Sequence, residues 1–110
     1  MVNAPFTPSG NTVTFTAVTT TPPTPVQAVS TTLGGNQYRI LNAGSVTVFL
    51  GVGVSASDAS NAAVAVVSTA ASIPLLAGTD EILTFRPNAY FTGITSSSSA
   101  VVYITPGDGQ

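Results

Sequence analysis

This sequence predicts an all-β domain, folded as a single antiparallel β-sandwich or jelly roll, and three observations carry the prediction. Short runs alternate apolar and polar residues with the period of two that a pleated strand imposes. Clusters of Gly, Pro, Asn and Ser separate those runs at near-regular spacing. Ser and Thr fill about a quarter of the 110 positions, which favours strands and turns over helices. The length suits one domain, able to bury roughly 65% of its unfolded surface.

Residues 1–25 read as a Pro/Thr-rich N-terminal arm, punctuated by Pro5, Pro8, Pro22, Pro23 and Pro25. Proline has no N–H to give to a ladder, so central pairing beside these positions is disfavoured. One short strand is expected inside the arm, at 12–18 (TVTFTAV), with Val13, Phe15 and Ala17 opposite Thr12, Thr14 and Thr16. The arm is either a first strand followed by a loop or a segment that docks on a partner. A strand over 26–33 comes next. Gly34-Gly35-Asn36 then turns the chain, because glycine accepts positive φ at no steric cost.

The expected centre of the domain is 37–54, QYRILNAGSVTVFLGVGV. It reads as a hairpin, two strands folded over Asn42-Ala43-Gly44-Ser45. Tyr38 and Ile40 share one face of the first strand; Val46, Val48, Leu50 and Val52 share one face of the second. Val48-Phe49-Leu50 is apolar on both faces, as a central strand requires.

A polar loop is expected at 55–61, with Asp58 bonded to nearby backbone. Residues 62–70 carry opposed signals: alanine favours helix, while Val64, Val66 and Val67 favour strand, and strand is the preferred reading. Residues 72–76 lead through the Ala77-Gly78-Thr79 turn into a strand at 80–86, DEILTFR. Pro87-Asn88-Ala89 turns the chain into a strand at 90–95, and the serines at 96–99 lead to the last strand, AVVYIT at 100–105. The sandwich domain is thus 26–105, and 106–110 form a C-terminal tail of chain breakers. Tyr38, Ile40, Val48, Leu50, Ile82, Phe85, Val102 and Ile104 are the expected core.

Composition excludes more than it suggests. Only 5% of residues are charged, against about 25% in an ordinary soluble domain. The net charge is −2 and the only cations are Arg39 and Arg86. Nucleic acid and anionic membranes both need clustered cations, so neither is an expected partner. There is no His, the usual proton carrier near pH 7, and no Cys for disulfides, zinc or thiol chemistry. The N-terminal text lacks the basic and apolar regions of a secretory leader, so synthesis in the cytoplasm is expected.

Gly53-Val54-Ser55-Ala56-Ser57 is faintly like a nucleophile elbow, but it lacks the closing glycine and has no base to activate Ser55. Asp58, Asp80, Glu81 and Asp108 show no calcium-loop spacing, and Asp80 and Glu81 would point to opposite faces of a strand. They read as turn caps or solvated carboxylates. Arg39 and Arg86 are positioned to pair with Asp80, Glu81 or an acidic group on a partner. Tyr90-Phe91 suits the core or an exposed contact patch, the core being favoured. No catalytic residue, metal ligand or cofactor is expected, and the chain is not expected to be an enzyme.

Four stretches carry a resemblance: YRILNAGSVTVFLGVGV at 38–54, IPLLAGTDE at 73–81, RPNAYFTGI at 86–94 and VYITPGDG at 102–109. Across about two thirds of the chain, the text resembles the capsid cement or decoration proteins of tailed bacteriophages. The resemblance implies a small structural β-sandwich subunit on the capsid exterior of a virion, stabilising contacts between major capsid subunits. No site residue transfers with it. Sheet edges are usually guarded by lysine, and this chain has none, so the edges are expected to be covered by partners, by the arm or by a sister chain in a dimer or trimer. The alternative is a phage tail, baseplate or fibre module that binds host glycans.

Overall fold

The computed structural model describes residues 6–29, 37–63 and 72–109. Its elements run β1 (Phe6–Pro8), β2 (Val13–Ala17), β3 (Val26–Gln27), β4 (Gln37–Asn42), β5 (Val48–Gly53), α1 (Ala56–Ala62), β6 (Ile73–Leu75), β7 (Asp80–Thr84), β8 (Tyr90–Thr95) and β9 (Ala100–Gly109). They form two packed antiparallel sheets. The first runs β2-β9-β4-β7, with β1 continuing the β2 edge along the far end of β9; the second runs β3-β8-β5-β6.

The pairing is nested. β2 joins β9, β3 joins β8, β4 joins β7 and β5 joins β6. A long hairpin rolled up so that successive pairs fall in alternate sheets gives this pattern, which is a jelly roll. The expected all-β sandwich is the fold observed.

Between the sheets, Phe15, Tyr38, Ile40, Val102 and Ile104 meet Val48, Leu50, Leu75 and Phe91. Tyr38, Ile40, Val48, Leu50, Val102 and Ile104 are fully buried, as the alternation requires, and Phe85 packs half-buried against them. Ile82 is a correction: it is 42% exposed. It lies opposite Arg39 on the outer face, and the inward side chain of β7 is Leu83, opposite Tyr38.

The centre at 37–54 is not a hairpin. β4 lies between β9 and β7 in one sheet, and β5 lies between β8 and β6 in the other. Both are central strands, but the residues between them form a corner that carries the chain from sheet to sheet. Asn42, fully buried, makes that corner. Its amide donates to the carbonyls of Val46 at 3.0 Å, Leu75 at 3.0 Å and Leu76 at 3.3 Å. Its Oδ1 accepts the Gly44 N–H at 3.0 Å. The side chain therefore ties the β4–β5 corner to the β6–β7 turn.

Residues 55–61, expected as a loop, start helix α1. Ser55 is its N-cap, with Oγ accepting the Asp58 N–H at 3.2 Å, and Asp58 places a carboxylate in the first turn. The helix lies directly on the outer face of β5. A Cβ on Gly51 would come within 2.3 Å of the Ala59 carbonyl oxygen, and one on Gly53 within 2.5 Å of the Ala59 nitrogen. Only glycine permits so close an approach. The expected strand over 62–70 lies outside the described residues after Ala63, and that over 26–33 is described only to residue 29, with ladder pairing at Val26 and Gln27.

The short strand expected in the N-terminal arm is β2, while the C-terminal end differs from expectation. Over its described part, the N-terminal segment is built into the sandwich. β1 and β2 both pair with β9, the Thr95 N–H donates to the Val18 carbonyl at 3.0 Å, and Thr92 Oγ1 donates to the Pro23 carbonyl at 2.8 Å. Proline keeps its acceptor, so a Pro-rich stretch can still receive such bonds. The expected tail at 106–110 is strand to Gly109: β9 runs between β1 and β4, and Pro106 is fully buried there. The Pro106 carbonyl accepts the Ser9 N–H at 2.9 Å, so the residue joins the ladder as an acceptor although it has no donor to give.

Candidate functional site

A pocket of about 380 Å³ opens at one end of the sandwich, lined by Val52, Gly53, Val54, Ile73, Phe85, Arg86 and Ala89. It is assembled from the end of β5, the start of β6 and the β7–β8 turn. A buried phenol holds that turn: the Tyr38 hydroxyl donates to the Arg86 carbonyl at 2.5 Å and accepts the Ala89 N–H at 3.2 Å. Asn88 supplies the left-handed residue, at φ 57°, a region asparagine tolerates. Beneath the turn, Tyr38 packs edge-on against Phe91 with ring centroids 5.0 Å apart, and Phe85 completes the cluster at 6.0 and 5.8 Å.

The lining is apolar apart from Arg86. Pockets of this size hold a small molecule or a single protruding side chain. Among the described lining residues there is no acid, imidazole or hydroxyl. Sequence reasoning missed it because its parts are scattered over three separate stretches and no one stretch carries a motif.

The second surface feature is β7, whose Asp80, Glu81, Ile82 and Thr84 are all exposed. Arg39 pairs with Asp80 on the outer face, its Nε 3.1 Å from both carboxylate oxygens. Asp80 accordingly raises the Arg39 pKa above its ordinary value, chiefly through that hydrogen bond. Both side chains are well exposed, so the pair orients more than it stabilises. Asp80 and Glu81 do point to opposite faces, opposite Leu41 and Ile40 respectively.

The other candidates have structural roles. Ser55 is a helix cap, Phe91 is core and Tyr90 is half-buried. Among the described residues no three potential ligands cluster for a metal, and no buried side-chain polar atom lacks a partner. No helix among them is long and apolar enough to cross a membrane. Exposed apolar side chains are spread over the surface at Val18, Val29, Val54, Leu76, Ile82 and Tyr103. No protein-family model, curated protein or solved structure matches the chain.

Proposed function

We propose that this chain is a structural virion protein that binds the outside of a tailed-phage capsid and stabilises contacts between major capsid subunits. One observation carries the reading: the described surface offers several places to touch another protein. An apolar pocket, a bare strand edge and exposed Val, Leu, Ile and Tyr side chains sit on a domain with almost no charge. Apolar anchors seated in pockets dominate the energetics of protein contacts. The sequence resemblance to capsid cement proteins points the same way. The described pocket lining has no carboxylate or amide side chain to grip a sugar, so it lends the glycan-binding alternative no support.

The test is to compare particles assembled with and without the protein. Particles lacking it should form but rupture at lower temperature, and adding purified protein back should restore them. Equal robustness, with the protein found only on the tail, would overturn the proposal.

A further inference from the structure

The free side of β7 has a self-complementary pattern. Among the described residues β7 bonds only to β4, and no element covers its other side. The Asn42 N–H donates to the Thr79 carbonyl at 3.0 Å, which makes Asn42 and Thr79 a bonded pair. Bonded and unbonded pairs alternate along an antiparallel ladder. With Ile40 opposite Glu81 and Tyr38 opposite Leu83, the backbone groups of Glu81 and Leu83 face β4. Those of Asp80, Ile82 and Thr84 face outward, unpaired among the described residues. Of the other edges, β6 carries Pro74 and β3 is two residues long, and the chain leaves β2 for β8 at Val18.

We propose that two copies of this chain pair through β7, antiparallel about a two-fold axis at Ile82, joining their first sheets into one continuous sheet. In this register Ile82 faces the second copy's Ile82 and Asp80 faces its Thr84. Every outward N–H and C=O of those three residues then finds a partner. Glu81 faces Leu83, so no like charges oppose each other. Sliding the register to centre on Glu81 would set two carboxylates face to face. Centring it on Leu83 would bring Arg86 opposite Asp80, but the Arg86 carbonyl is already taken by Tyr38. The Ile82 register alone uses the whole edge. A two-fold edge pairing closes on itself, so the product is a dimer and not a fibre or trimer.

The purified full-length protein tests this directly, independently of whether it binds a shell. Sedimentation should show a dimer at micromolar concentrations. The chain has no cysteine, so single-cysteine variants report only contacts between copies. Opposed bonded residues lie about 5.5 Å apart at Cα, within disulfide range. Ile82→Cys should cross-link at least about tenfold faster than Glu81→Cys, Leu83→Cys or Val18→Cys, because pairing raises the local concentration of only that thiol. Ile82→Lys should sediment as a monomer with an unchanged circular dichroism spectrum, since the side chain is exposed on the outer face. A wild-type monomer, a trimer, or faster linkage through position 81, 83 or 18 would overturn the proposal.

Discussion

Replacing Asn42 with alanine tests how the two sheets are held in register at the corner. Four side-chain contacts disappear: amide to Val46, Leu75 and Leu76, and Oδ1 from Gly44. The amide has two hydrogens, so the 3.3 Å contact to Leu76 shares one, leaving two full donated bonds and one accepted. Each contributes about 1 kcal/mol net. The Leu75 bond is itself buried, so an orphaned carbonyl there adds about 1–3 kcal/mol more. The total is about 4–6 kcal/mol, a large part of a typical stability of about 5–15 kcal/mol. At about 4 °C per kcal/mol, the melting temperature should fall by about 16–24 °C. Urea unfolding followed by circular dichroism measures the difference, with an unchanged slope showing that the same surface is exposed. A loss below about 1 kcal/mol would refute the idea that Asn42 clasps the corner. Asn42→Asp sharpens the test, because it keeps the acceptor but turns a carboxylate towards three carbonyls. Burial raises that carboxyl's folded pKa above its unfolded value, so the variant should gain stability as pH falls, when the acid regains an O–H donor.

Three further outcomes follow from the packing. Leu50→Ala, at a fully buried position, should cost about 2–5 kcal/mol in urea unfolding. Tyr38→Phe should cost about 1–3 kcal/mol, because the Arg86 carbonyl and the Ala89 amide both lose the phenol; exchange of the Ala89 amide with deuterium should accelerate more than that of the Ala28 amide. Gly51→Ala forces a methyl against the Ala59 carbonyl and should cost about 1–3 kcal/mol, with amide chemical shifts moving mainly in α1.

The strands were legible wherever alternation was strong. Tyr38, Ile40, Val48 and Leu50 alternate without a break, and their inward faces follow from period two alone. Which strand pairs with which was not legible. Asn42-Ala43-Gly44-Ser45 looks like hairpin text, and only the buried Asn42 side chain, bonded across to residues 75 and 76, reveals a corner between sheets. Ile82 was misassigned because a strand at a sheet edge is apolar for more than one reason, and alternation does not say which face is covered. The helix had a visible signal in Ser55-Ala56-Ser57-Asp58, whose spacing suits an N-cap, but Ser and Asp also suit loops. Pro106 read as a breaker because proline cannot donate to a ladder, but its carbonyl still accepts there, from the Ser9 N–H. The pocket had no sequence signal, since convergence of three distant stretches is a property of the fold alone.

The nested pairing governs how the chain must be made. β2 finds its sheet neighbour in β9, with Val13 opposite Ile104, so the earliest strands have no ladder to join until β9 has left the ribosome. Pairs this far apart in sequence fold slowly, because a long loop must close before any contact rewards it. Through that interval the nascent chain exposes alternating Val, Phe and Ile with few charges to keep copies apart. Synthesis at high local concentration therefore favours wrong pairing between chains, and slower translation or lower temperature should raise the soluble yield.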